Sequence, residues 1–325
     1  MKTDFQNIQN PCVLFSNGLG DHFIALPTMR ALAHLFKDRL TLVTQELSHT
    51  EVIFQEVAFK HILRTKHFNN QKFDAQELIK ALEPYDALIS ITPWVNTSLM
   101  NLLKLFRPRK TFGLFENFEY RAAFKKPIHQ SDMAFCVPQI FDATLQVEDF
   151  AYAPTLPDQV KRVPAVFREK IPADCKLLVV HTDTKPEKMW SADKFIQVIN
   201  ELLDSYSQLG VVMVGIDMPD LAQCSAPERI ICFDKVPFEV SWGVVSCADY
   251  FLGVDSVFLH TADLHQVPSV GIFQDDNYKE FGLRFAKHRH VISSTGRMED
   301  IQVNEVLDAL QQVFAQEDQP AMASS

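Results

Sequence analysis

Residues 247–274, CADYFLGVDSVFLHTADLHQVPSVGIFQ, decide the fold. The apolar run from Tyr250 to Val254 predicts a buried strand, and Asp255-Ser256 a sharp turn after it. A short helix carrying His260 follows, then Pro268 and a second apolar run ending at Phe273. A strand feeding a Ser-capped helix aims backbone N–H groups at an anion, which makes this a candidate nucleotide-diphosphate site. The alternation extends outward. Strands are expected at Leu177 to His181, Val211 to Val214 and Ile230 to Phe233, with helices at Ser191 to Tyr206, Val240 to Cys247 and Glu299 to Phe314. Nearer the N-terminus, strands are expected at Cys12 to Phe15, Leu40 to Thr44, Ala87 to Ile91 and Lys110 to Leu114, with a helix at Phe23 to Phe36. Strands alternating with helices imply α/β domains with parallel sheets covered on both faces. Pro154, Pro157, Pro164 and Pro172 interrupt the pattern and put a domain boundary near residue 160. Two Rossmann-like domains are expected, 1–160 and 161–325, with a ligand cleft at the carboxyl ends of their strands.

Composition bounds the function. The 325 residues are 47% hydrophobic and 22% charged, ordinary for a globular chain. The net charge of −10 argues against a nucleic-acid partner. Residues 1–160 nevertheless hold a basic cluster: Lys104, Arg107, Arg109, Lys110, Arg121, Lys125 and Lys126. It reads either as a solvated face or as a surface for an anionic acceptor or anionic membrane headgroups. Six scattered cysteines form no CxxC pair, which leaves zinc and thioredoxin-like chemistry unsupported and suggests core thiols in a reducing compartment. The start, MKTDFQNIQN, lacks a signal-peptide core, and no apolar run approaches the roughly 20 residues of a membrane span. A cytoplasmic chain is expected, with a disordered tail, QEDQPAMASS.

Two further loops leave predicted strands. In Asn17-Gly18-Leu19-Gly20-Asp21 a dinucleotide fingerprint would need glycine at position 23, which is Phe23. The glycines suit a tight turn with positive φ. Asp21 suits a helix N-cap, or a general base held ionised by the helix dipole and nearby N–H groups. The loop His181-Thr182-Asp183-Thr184-Lys185-Pro186-Glu187-Lys188 could wrap phosphate oxygens with two Thr hydroxyls and a Lys charge, or be a solvated polar loop. Ser191-Ala192-Asp193 suggests a capped helix start. The spacing of His260 and His265 does not match a helical metal pair, so no metal site is expected.

Three segments together resemble glycosyltransferase family 9, the bacterial heptosyltransferases. NGLGDHFIALPTMRAL (17–32) is similar to the family's Gly-Asp loop, and VVHTDTKPEKMWSADKFIQVINELL (179–203) to its Lys-then-Trp loop and helix. Residues 247–274 are similar to its Asp-Ser/Thr-Gly…His-Ala-Ala segment. The resemblance implies the GT-B fold, two facing Rossmann-like domains. It implies inverting, metal-independent transfer of a heptose-like or other sugar from a nucleotide diphosphate donor, an ADP-linked one among the candidates, with no cofactor. It places the catalytic base on Asp21, with Asn17, Gly18 and Gly20 forming its loop, and donor contacts on Thr182, Thr184, Lys188, Asp255, Ser256 and His260. The ribose-binding acid falls on Asp217 and the base contact on Val236. The implied C-terminal domain binds the donor and the N-terminal domain the acceptor. The acceptor would be a glycan, a lipid-linked glycan as in lipopolysaccharide, a peptide or a small molecule, and the basic cluster fits peripheral contact with the inner membrane.

The chain departs from the family pattern in three places. Val257 replaces the Gly after Asp-Ser, Asp263 replaces the second Ala, and Gln274-Asp275-Asp276-Asn277 replaces a Gly-Pro-Thr-rich loop. Two alternatives stand beside the transferase: a nucleotide-sugar epimerase of the same architecture, and a degenerate sugar-nucleotide-binding or scaffold protein.

Overall fold

A computed structural model describes residues 5, 7–46, 49–69 and 72–317. Residues 318–325 of the tail, and residues 1–4 and 6 of the N-terminal stretch, lie outside the described residues. The chain divides into two compact units, residues 1–155 and 156–325.

The first unit is a parallel sheet of β1 (Pro11–Leu14), β2 (Thr41–Gln45), β3 (His61–Thr65), β4 (Ala87–Ser90), β5 (Lys110–Gly113) and β6 (Tyr120–Arg121). Its helices are α1 (Leu19–Phe36), α2 (Thr50–Ile53), α3 (Ala75–Ala81), α4 (Thr97–Phe106) and α5 (Gln130–Phe135). The strand order is β3-β2-β1-β4-β5-β6. The second unit holds β7 (Lys176–His181), β8 (Leu209–Gly215), β9 (Ile230–Asp234), β10 (Tyr250–Val254), β11 (Ser269–Phe273) and β12 (His288–Ile292), again all parallel. Its helices are α6 (Val163–Arg168), α7 (Ala192–Ser205), α8 (Phe238–Val245), α9 (Val257–Leu264), α10 (Tyr278–Phe281) and α11 (Val303–Glu317). The order β12-β11-β10-β7-β8-β9 is the same topology read from the other edge. Both units therefore have the doubly wound 3-2-1-4-5-6 order, and in each the chain reverses direction across the sheet between its first and fourth strands.

Strand pleating explains the two-faced cores. In β7, Leu178 and Val180 pack with α7 and α11 residues, while Leu177 and Val179 join the cluster containing Phe258 and Leu259. β8 divides the same way, Val211 and Met213 against Val212 and Val214. Strands buried on both faces must be apolar throughout, and these were readable as runs. The strands without such a run are β3, β6 and β12, all at sheet edges, where half-exposed positions admit His61, Arg64, Arg121, His288 and Arg289.

Several expectations are corrected. Gly18 has φ −66° and Gly20 lies inside α1, so neither glycine serves a left-handed turn; among the described residues the positive-φ glycines are Gly215 and Gly296. The helix expected from Glu299 starts at Val303, after a short 3-10 turn at Met298–Asp300. Pro164 begins α6 rather than breaking structure, since proline is tolerated in a first helical turn. Ser191 and Ser256 occupy N-cap positions, but neither hydroxyl makes a cap hydrogen bond. Of the cysteines only Cys12 is fully buried, and Cys232 is exposed on edge strand β9. Arg109 leaves the basic cluster: its guanidinium donates to the carbonyls of Leu82 (2.8 Å) and Tyr85 (3.1 Å) and stacks on Phe106.

Asp263, one of the departures from the family pattern, is a buried anchor. Its Oδ1 accepts the backbone N–H groups of Arg284 (2.9 Å), Phe285 (2.8 Å) and Ala286 (2.9 Å), fixing the loop into β12. Asp263→Ala should strand these donors and cost about 3 kcal/mol, lowering the thermal midpoint by roughly 10 °C in calorimetry. Asp263→Asn, which keeps an acceptor oxygen, should lose clearly less.

Candidate active site

At a topological switch point the loops leaving the two central strands diverge to opposite faces and open a crevice at their carboxyl ends. In the second unit these strands are β7 and β10, and the candidate residues meet there. Lys188, on a 3-10 turn after β7, forms an ion pair with Asp255 at the end of β10, whose side chain is only 11% exposed. Thr184 Oγ1 donates to the Asp255 carbonyl at 2.7 Å. Ser256 follows as the N-cap of α9, and its Oγ is buried without a hydrogen-bond partner. The helix thus begins with N–H groups its N-cap side chain does not satisfy, beside a hydroxyl that seeks a partner. That combination suits an anion. Val257 occupies the first helical position and His260 is buried one turn on, on the same helix.

A second tie joins the ends of β7 and β8. Asp183 accepts the N–H groups of Ile216 and Asp217 (3.2 Å), and Thr182 Oγ1 donates to the Asp217 carbonyl at 3.3 Å. Gly215 is required here: its φ is +153°, and a Cβ would lie 2.2 Å from Asp183 Oδ2. Asp217 itself is exposed at this strand end, and half-buried Val236 follows β9; the N–H of Lys235, just past that strand, bonds the Gly215 carbonyl at 3.1 Å. His181 beneath this loop is buried and donates Nδ1 to the Val214 carbonyl at 2.8 Å; burial holds its pKa below the usual histidine value. Asp183 went unnoticed as a site residue. Its signal was the Gly215 that ends the neighbouring strand.

The departing loop 274–277 is a turn into α10: Asp275 Oδ1 accepts the Asn277 N–H at 2.9 Å, and Gln274 Nε2 donates to the Gly296 carbonyl at 2.9 Å. His265 Nε2 accepts the Trp242 indole N–H at 2.8 Å. Among the described residues, no group of three or more His, Cys, Asp or Glu side chains could hold a metal ion, and no helix is long and apolar enough to cross a membrane.

In the first unit the switch point lies between β1 and β4; Asn17 and Gly18 lie in the loop after β1, and Gly20 and Asp21 in the first turn of α1. Asp21 is not the N-cap: Gly18 is, and Asp21 reaches back from the first helical turn so that its Oδ2 accepts the Gly18 N–H at 2.9 Å. The Gly18 carbonyl is met by His22 Nδ1 at 2.9 Å, while His22 Nε2 bonds Thr50 Oγ1 at 2.9 Å. His22 is buried against Phe15 and Phe54, and this burial pushes its pKa down to about 4. Asn17 Oδ1 accepts the Trp94 indole N–H at 2.9 Å. His22 and Trp94 also escaped sequence reading, since an apolar helix face and a post-strand loop give each an unremarkable setting.

The depressed His22 pKa has a signed consequence. The unfolded chain takes up this proton near pH 6.5 and the folded chain only near pH 4, so stability rises with pH across that window. The group accounts for about 3 kcal/mol, lost as pH falls from 6.5 to 4. Denaturant unfolding at several pH values should show this slope in the first unit, and His22→Asn, which retains a donor toward Gly18, should flatten it.

Comparison with known proteins adds a family match. Residues 75–310 match the family described as glycosyltransferase family 9 (heptosyltransferase). The matched span contains the whole β7–β10 site and begins after the Asn17–Asp21 loop. Among solved structures, the chain is similar to a glycosyl transferase family 9 protein from Veillonella parvula (TM-score 0.72, 15% identity), over 97% of this chain and 99% of that one. It is similar to ADP-heptose lps heptosyltransferase II of E. coli (TM-score 0.69, 11% identity, 95% and 100%). A third is the E. coli heptosyltransferase WaaC with ADP (TM-score 0.64, 13% identity, 94% and 99%). At these identities the likeness is one of fold, the two-domain GT-B architecture. No curated protein sequence matches.

Proposed function

The chain belongs to glycosyltransferase family 9, and we propose that it transfers a sugar from a nucleoside diphosphate donor to an acceptor hydroxyl with inversion, using Asp21 as the base. The observation that carries the donor half is the β7–β10 switch point: Lys188, Thr184, the buried unpartnered Ser256 hydroxyl and the start of α9 converge there. These groups form the diphosphate wall, with Asp255 holding Lys188 in place until the donor's negative charge shares it. Asp217 and Val236, at the ends of β8 and β9, would take the ribose and the base. The E. coli relative was solved with ADP, which makes ADP-linked sugars the first donors to test.

In the reaction, Asp21 takes the acceptor proton as its oxygen attacks the anomeric carbon. The C–O bond to the diphosphate breaks on the opposite face, and charge accumulates on the leaving group. Lys188, the hydroxyls and the α9 N–H groups meet that charge, and such preorganised stabilisation is usually the largest catalytic term. The Gly18 N–H bonded to Asp21 favours the ionised carboxylate a base needs. The acceptor side is supported by a pocket of about 560 Å³ in the first unit, lined by Val95, Leu114, Phe115, Arg121 and Phe124. Exposed Arg107, Arg121, Lys125 and Lys126 favour an acceptor bearing anionic groups, as on a lipid-linked glycan at the inner membrane.

A donor at 100 times its dissociation constant should stabilise the protein by about 2.7 kcal/mol, visible as a thermal shift in a screen of nucleotide diphosphate sugars. Silence toward every nucleotide would favour a non-catalytic relative. Asp21→Asn should lower turnover of ADP-heptose by about 10²–10⁴-fold while leaving donor affinity near normal. Intact turnover in that variant would sink the assignment of the base.

A further inference from the structure

We propose that Trp94 is a positioning residue for the Asn17–Asp21 loop, acting through its indole N–H; the inference rests on the reading of Asp21 as the base. The parallel ladder between β1 and β4 ends at the pair Leu14 and Ser90. Beyond that pair the two chains part around the switch point, and the 2.9 Å bond from Trp94 Nε1 to Asn17 Oδ1 ties them together. The tie is anchored at both ends. The Trp94 side chain packs on the core cluster containing Leu14, Leu88 and Leu99, and the turn beneath it is braced by the buried Ser90 and Thr92 hydroxyls, 2.8 Å apart. On the other side, Asn17 immediately precedes Gly18, whose N–H is held by Asp21 and whose carbonyl is held by His22. Fixing Asn17 therefore sets the peptide that aims the Asp21 carboxylate.

The next residue after Trp94, Val95, lines the 560 Å³ pocket of the first unit. Trp94 thus couples the wall of that pocket to the loop carrying Asp21 within the first unit. Loss of the bond should move the carboxylate relative to a bound acceptor and leave the donor site untouched. Since an error of about 1 Å in a reacting group can cost as much as 10²-fold, a single lost tether should be plainly measurable.

Two readouts test this with Trp94→Phe, which keeps an aromatic ring on the core cluster but removes the indole N–H together with part of the ring's packing. Hydrogen exchange of the full chain should rise in peptides covering residues 16–22 by more than in the other peptides of the first unit, with the exchange of residues 176–264 unchanged. Turnover of ADP-heptose with a heptose-deficient lipopolysaccharide acceptor should show kcat down by roughly tenfold and donor KM within about twofold of the parent. Asn17→Leu should do the same, and the Trp94→Phe/Asn17→Leu double variant should be no worse than either alone. Unchanged exchange at residues 16–22 overturns the inference whatever the turnover, as do single-variant effects that multiply in the double variant. Full activity of Trp94→Phe beside an inactive Asp21→Asn removes the tether and leaves the base standing, whereas an active Asp21→Asn removes both.

Discussion

The Lys188–Asp255 ion pair spans the gap that opens where the strand order of the second unit reverses. Loops from β7 and β10 leave toward opposite faces of the sheet, so no ladder continues between them. A charge pair with one partner only 11% exposed is stable there because its carbonyl neighbour is also satisfied, by Thr184. The arrangement sets the Lys188–Asp255 pair beside the start of α9. The diphosphate contacts proposed for the chain are organised around that point.

The two units solve one geometric problem with different chemistry. Both use the same strand order, and both carry polar loops at the switch point. In the second unit the ties are charged and hydroxyl groups suited to an anion. In the first they are an amide, an indole, an imidazole and one carboxylate, arranged about the Gly18 peptide. Buried His22, its pKa pushed down to about 4, stays neutral near pH 7, and Asp21 is the acidic side chain in the first turn of α1.

Departures from the family pattern separate into structural and local ones. Asp263 is explained by three backbone N–H groups that a small apolar residue could not satisfy. The 274–277 loop closes on itself and on Gly296. Val257 is accommodated as the first residue of α9, with its carbonyl accepting from Thr261 at 2.9 Å. The helix start is retained with a branched side chain in place of glycine.

The order of buried strands and helices was legible in the sequence because strands covered on both faces must be apolar throughout, as Leu177–Val180 and Tyr250–Val254 are. Edge strands β3, β6 and β12 were not, because a strand with one neighbour tolerates His, Arg and Tyr. The three candidate loops were legible as polar breaks after apolar runs. Their partners were not: Trp94 lies 77 positions from Asn17, and Asp183 about 33 from Ile216. The sequence by itself determined the buried strands and the polar loops that follow them, since both follow from local pattern. Only the tertiary structure decided that Lys188 meets Asp255, that Asp183 demands Gly215 and that Trp94 holds Asn17. Those pairings depend on strand order, which long-range packing sets and local pattern does not encode.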